Sequence, residues 1–199
     1  MSGMDTAVSI ALGIGLAAAV GFRVFLPLLV ASVAAYTGNL HLNESFAWLG
    51  SLTALIMLSV AALVEVLAYY IPAVDNLLDS VTTPLALIAG TVVSAAVIAD
   101  MPPLIKWSTA IIAGGGVAAI TQGVTTLVRA KSTTFTAGLG NPLVSTMEML
   151  AAIIIAILAL LAPLAALALV VAVCWLTVRL VRKFLRSAPP RQREQTPVP

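Results

Sequence analysis

Arg23 interrupts an apolar run that extends from Val8 to Ala35. A charged side chain at the centre of a membrane helix costs about 2.5–3.5 kcal/mol on insertion scales, so it persists only with partners. Pro27, four residues on, has no N–H to offer the carbonyl of residue 23. One position therefore supplies both a buried cation and an unpaired backbone acceptor. Two readings stay open: a polar site at a helix break near the midplane, or an arginine locked onto a carboxylate or carbonyls to join two helices.

Other polar residues fall at helical spacing. Thr121, Thr125 and Arg129 form a stripe with Gln122 and Thr126 beside it, and such a stripe belongs on the inside of a bundle. Glu65 lies in a second apolar run, Asp75 and Asp79 are four apart, and Glu148 opens a later one. These carboxylates could balance Arg129 and Lys131, relay protons or hold a divalent cation, although their spacing matches no recognised metal pattern. The stretch from Ser132 through Thr133, Thr134, Thr136, Gly138 and Gly140 to Asn141-Pro142 is rich in hydroxyls and glycine. Beside a helix N-terminus it could hold an anion or polar group; Asn141 followed by proline is also a good helix cap. The candidate substrate-binding set is thus Arg23, Glu65, Gln122, Thr125, Thr133, Thr136, Asn141 and Glu148.

The elements that carry these residues are membrane spans. The 199-residue chain is 61% hydrophobic and 9% charged, with a mean hydropathy of +1.10. Soluble domains carry about 25% charged residues, so a polar coat is out of reach. Spans of about 20 apolar residues are expected near Val8–Ala35, Phe46–Tyr70, Pro84–Ala99 and Leu104–Val128. Ala73–Thr83 reads as a short amphipathic piece, with Thr82-Thr83-Pro84 a helix start. Leu143–Val181 would measure roughly 58 Å as one helix at 1.5 Å per residue, so a tight turn at Ala162-Pro163 divides it into two spans.

Six spans place Arg129, Lys131 and the basic residues Arg179, Arg182, Lys183, Arg186, Arg191 and Arg193 on one side, with only Lys106 in an outer loop. The positive-inside rule then makes both termini cytoplasmic in an inner membrane, and 187–199 reads as a disordered basic tail. No cleavable signal is evident, and the single Cys174 excludes an internal disulfide.

Shifting the sequence by one hundred positions brings Gly15 onto Gly115, Ala18-Ala19 onto Ala118-Ala119, Val24 onto Val124, Ser32 onto Ser132 and Gly38 onto Gly138. With three spans between partners, the expectation is a 3+3 inverted repeat, with halves at about 8–100 and 104–184. The four-residue stripes Gly13, Ala17, Gly21 and Gly115, Ala119, Gly123 are expected to let helices approach closely. The fold class is therefore all-α, a six-span membrane bundle in one domain, 1–186.

Three stretches carry a resemblance: Gly21-Phe22-Arg23-Val24-Phe25-Leu26-Pro27; Leu63-Val64-Glu65-Val66-Leu67-Ala68 leading to Ile71-Pro72-Ala73-Val74-Asp75-Asn76-Leu77-Leu78-Asp79; and Ser132 to Pro142 with Ser145 and Glu148. From about Ile10 to Leu180 the chain resembles the bacterial membrane family catalogued as domain of unknown function 4126. That implies an integral membrane protein and brings no activity with it.

A small transporter or channel for a solute or ion is the leading expectation, because a proline-broken helix and polar residues meet near the midplane. The alternative is a non-catalytic membrane scaffold in which Arg23 and Glu65 serve helix packing. No enzyme is expected: there is no nucleophile–base pair, phosphate loop or dinucleotide fingerprint, and His41 has no metal-binding partner. Lipid, a small solute or ion and a second copy of the chain are the expected partners, with no cofactor and no nucleic acid.

Overall fold

A computed structural model of the chain describes residues 3–98 and 101–186, without the side chains of 3, 72, 73, 75, 76, 177, 178 and 180–186. The expected tail, 187–199, lies outside the described residues. The helices are α1 (Gly3–Val20), α2 (Phe25–Tyr36), α3 (Leu52–Ala68), α4 (Pro72–Val97), α5 (Pro103–Thr109), α6 (Gly116–Thr136), α7 (Asn141–Leu161) and α8 (Pro163–Arg186). A π-helical turn, Ala110–Gly115, fuses α5 to α6, and a 3₁₀ turn, Glu44–Gly50, precedes α3. Among the described residues three helices are long and apolar enough to cross a membrane, Leu77–Val97, Pro103–Thr136 and Asn141–Leu161. A fourth joins them if Glu44–Gly50 and Leu52–Ala68, bent by 64°, form one span.

Small residues set the helix directions. A methyl group at Gly13 would meet Ser94 at 3.3 Å, and Gly90 lies between Ala17 and Ala118, so α1 and α4 are antiparallel. Thr91 lies on Gly115 and Gln122 bonds Thr82, so α6 is antiparallel to α4 and parallel to α1. Gly15 lies against both Ala159 and Ala166. Those two residues would stand about 10 Å apart on one helix, so α7 and α8 form a hairpin at Ala162-Pro163, as expected.

The first apolar run is not one span. Gly21 and Arg23 still donate to the carbonyls of Ala17 and Ala19, and a new helix begins at Phe25. The Asn43 N–H donates to the Ala96 carbonyl at 2.8 Å. Ala96 lies beyond Ser94, whose hydroxyl bonds the Gly13 carbonyl, on the side away from Arg23. A straight continuation would carry Tyr36 roughly 35 Å past Gly13, and the chain from Tyr36 to Asn43 reaches at most about 25 Å. The chain therefore turns back at Gly21–Val24, and α2 descends beside α3, tied by Ser32 to the Leu49 carbonyl at 2.7 Å.

Several expectations change with this reversal. α1 begins and α8 ends at opposite ends of the bundle, so six spans with both termini on one side do not fit the helix directions. Nor does an inverted repeat, since its proposed partners α1 and α6 run side by side in the same direction. The hundred-residue match continues into α2, which turns back where α6 goes straight on. Pro84 lies inside α4, which starts twelve residues earlier at Pro72; proline fits at the first helical position, and the amphipathic piece is the first half of α4. The hydroxyl-rich stretch is helical to Thr136, ending at Ala137 in the left-handed region (φ 51°) and at Gly138 (φ 86°). Helical backbone satisfies its own polar groups in an apolar setting, which extends helices through segments too polar to be recognised as spans.

An alanine-rich core, including Leu16, Ala17, Val20, Ala89, Val93 and Ala118, fills the crossing of α1, α4 and α6. Side chains of this size let the backbones come close enough for dispersion and polar contacts to hold them. Gly123 departs from the expected stripe: nothing lies within 4 Å of the methyl it lacks.

Candidate functional site

The reversal at Gly21–Val24 exposes the first N–H groups of α2, which no helical carbonyl can satisfy. Val24 has no side-chain oxygen to cap them. Glu65, on α3, does so from outside: its Oε1 accepts from the Val24 N–H at 2.7 Å and its Oε2 from the Phe25 N–H at 3.0 Å. A carboxylate at a helix N-terminus also meets the positive end of the helix dipole. The turn is thus anchored by a residue about forty positions away.

That turn delivers Arg23 into the interior, where it is 1% exposed. Its Nη2 donates to the Ser145 carbonyl at 3.0 Å and to the Ser145 hydroxyl, and lies 3.7 Å from Glu148 Oε2. The same Glu148 oxygen accepts from Arg129 Nη2, and Arg129 Nη1 lies 3.7 Å from Asp79 Oδ1. Both arginines stack on Tyr69, with the Arg23 guanidinium 3.8 Å and that of Arg129 4.1 Å from its ring centroid. Such stacking stabilises a desolvated cation by roughly 2 kcal/mol. The Tyr69 hydroxyl lies 3.2 Å from Thr82 Oγ1 and 3.4 Å from Asp79 Oδ1, and Gln122 Nε2 donates to Thr82 at 2.9 Å.

The centre is not fully satisfied. Arg23 Nε and Nη1, Arg129 Nε and Glu148 Oε1 are buried without a hydrogen-bond partner. Buried polar atoms are nearly always paired. Three unpartnered donors and one unpartnered acceptor in a single cluster therefore mark a place suited to a polar guest or water.

Of the residues singled out in the sequence, Arg23, Glu65, Gln122, Thr125 and Glu148 converge here. The Thr125 hydroxyl donates to the Gln122 carbonyl of its own helix, so it lines the site without reaching across it. Asn141 is buried on the Glu148 face of α7 but is not a cap: Gly140 holds that position, and the Asn141 amide donates to Thr133 at 3.0 Å. Thr133 and Asn141 form a cross-link at the end of the cluster. Thr136 is outside it, exposed, bonding the Ser132 carbonyl and accepting from the Gly140 N–H. The Asp75 side chain lies outside the described residues. Among the described residues no group of three or more His, Cys, Asp or Glu is arranged to hold a metal ion.

The candidate set omitted Tyr69, Asp79, Thr82, Arg129 and Ser145. Their signal was periodic: Glu65 and Tyr69, Gln122 with Thr125 and Arg129, and Asn141 with Ser145 and Glu148 are each three or four apart. That spacing puts each set on one helix face.

Apolar grooves flank the centre. One, about 550 Å³, runs between α3 and α4, where Val60, Val64, Val81 and Leu85 lead to Glu65 and Thr82. The other, about 450 Å³, runs between α6 and α7, where Phe22, Val124, Leu143 and Met147 lead to Thr125 and Glu148.

Apolar helices long enough to cross a bilayer, packed around a buried ionic centre, define an all-helical membrane protein. The chain belongs to the family described as domain of unknown function (DUF4126), whose match covers residues 10–183. No curated protein and no solved structure matches it.

Proposed function

We propose that this protein is a small-solute transporter or channel, not an enzyme, and that the centre around Arg23, Arg129 and Glu148 is where its solute or ion binds. The observation that carries this reading is the set of unpartnered donors on two arginines that are 1% and 2% exposed. A structure needing only an ionic lock would be better served by full pairing, because an unmatched buried charge is costly. The irregular backbone at Gly21–Val24 adds support, since non-helical chain at membrane depth belongs where it is covered by protein or lines a cavity.

The membrane orientation follows from charge. In this reading α1 and α2 form a hairpin that enters and leaves on one side, and α3, α4, α5–α6, α7 and α8 cross. Arg129 and Lys131 mark the cytoplasmic end of a bacterial inner membrane, and Lys106 the outer end. The first described residues then lie outside.

The scaffold alternative, with Arg23 serving packing in a homo-oligomer, draws on the near-complete burial of Arg23. Thermal shift of the detergent-purified protein across small ions, metabolites and lipids separates the two. A binding protein gains melting temperature with a particular solute, and Arg23→Lys, which keeps the charge but loses the planar fork, abolishes that gain while remaining folded. If no solute stabilises the wild type, and Arg23→Lys lowers melting temperature and oligomer yield together, the scaffold reading replaces this one.

A further inference from the structure

We infer that the site takes a small monocarboxylate anion together with one proton, the proton residing on Glu148. This rests on the transporter reading above and specifies its substrate. The Arg23–Arg129 seat already holds a carboxylate, that of Glu148, whose Oε2 bridges both guanidiniums. Once Glu148 leaves Arg129 Nη2, that nitrogen and the unpartnered Arg129 Nε form one planar edge that a second carboxylate can bind with both oxygens, and Arg23 Nε and Nη1 are further donors without a partner.

Charge balance couples the anion to a proton. Arg23 and Arg129 face Asp79 on α4 and Glu148 on α7, while Glu65 on α3 is matched by the N-terminus of α2. Tyr69, between α3 and α4, stacks with both guanidiniums, and Tyr70 is turned to Thr146 at 2.9 Å. Farther along α6 lies Lys131. From α8, the described ionisable side chains are Cys174 and Arg179, the latter 5.1 Å from the Trp175 ring. An added anion alone leaves a buried negative charge without a partner; a proton alone on Glu148 does the same for a guanidinium. Either is unfavourable in a low-dielectric interior. Arriving together they leave the charge unchanged: one proton binds a Glu148 oxygen, one carboxylate takes its place at Arg129, and no covalent bond in the anion changes.

The displaced side chain has somewhere to go. Glu148 opens onto the α6–α7 groove, walled by Phe22, Val124, Val128, Leu143 and Met147. An apolar wall suits a neutral carboxylic acid and disfavours a carboxylate. Protonation thus frees the arginines and makes the groove the better place for Glu148.

The test uses the full-length protein and pyruvate as probe, with inorganic phosphate and chloride as comparators. In detergent, pyruvate affinity is expected to rise as the pH is lowered, by up to about tenfold per pH unit, with one proton taken up per anion. Glu148→Gln, which mimics the protonated acid, should bind pyruvate with little pH dependence. In proteoliposomes, an inward proton gradient should drive pyruvate uptake that is insensitive to membrane potential. Pyruvate affinity in the wild type that does not change with pH overturns the inference whether or not the variant folds. So does tighter binding of phosphate or chloride than of pyruvate. Proton-linked pyruvate binding without flux would uphold the carboxylate site and remove the transporter reading; flux of a different solute without pyruvate binding would do the reverse.

Discussion

Glu65 places both carboxylate oxygens on backbone N–H groups and also lies close enough to Arg23 to interact with its charge. Its role is to hold a turn, and the turn positions Arg23. Glu65→Gln keeps one acceptor oxygen but loses the charge opposite the start of α2. Stability is expected to fall by about 1–2 kcal/mol, read as a lower melting temperature in detergent; an unchanged melting temperature would show that the turn does not depend on the carboxylate. Arg23, Glu65, Gln122 and Glu148 were legible in the sequence because charge or amide inside an apolar run always demands a partner. Which partner each finds was not. Glu65 meets the backbone of residues 24 and 25, a pairing across about forty positions that local pattern does not encode. Tyr69 carries no such demand, since a tyrosine near the end of an apolar run serves equally as an interfacial anchor.

Helices in this protein meet through missing side chains. At Gly114 an added methyl would lie 2.8 Å from the Gly90 carbonyl and collide with Ser94, whereas at Gly123 it would meet nothing within 4 Å. Gly114→Ala is therefore expected to lower the melting temperature. Gly123→Ala should leave it unchanged or raise it, since alanine is favoured over glycine in a helix by about 1 kcal/mol. Equal effects of the two substitutions would contradict the assigned packing. The hairpin at Ala162-Pro163 could be read from length, because one helix over that run would overshoot a bilayer. The break at Gly21–Val24 was legible only as a weak point. Pro27 marks it, yet occupies the first turn of α2, where a missing N–H costs nothing, and does not itself make the reversal. The start of α4 was misplaced for a related reason: proline within a helix is tolerated in this setting, so Thr83-Pro84 mimics a start that Pro72 supplies.

For the whole molecule, the reversal decides which groups share an end. With one continuous first span, charge counting favours six crossings and both termini in the cytoplasm. In the proposed orientation the hairpin keeps the same charged end in the cytoplasm and puts the first described residues on the other side. In the Val8–Ala35 run Arg23 and Pro27 mark a break, but no feature there shows that the chain doubles back. Site geometry depends on this point: the reversal turns the first N–H groups of α2 to Glu65 and fixes the backbone that carries Arg23. Cysteine labelling in intact cells tests it most directly. On a Cys174→Ser background, single cysteines replace Met4, Ala162 and Leu139; Met4 and Leu139 are 69% and 88% exposed. A membrane-impermeant maleimide is expected to reach positions 4 and 162 from outside, and position 139 only after permeabilisation. Labelling of positions 4 and 139 from the same side would contradict the reversal, and with it the placement of Arg23 at the centre.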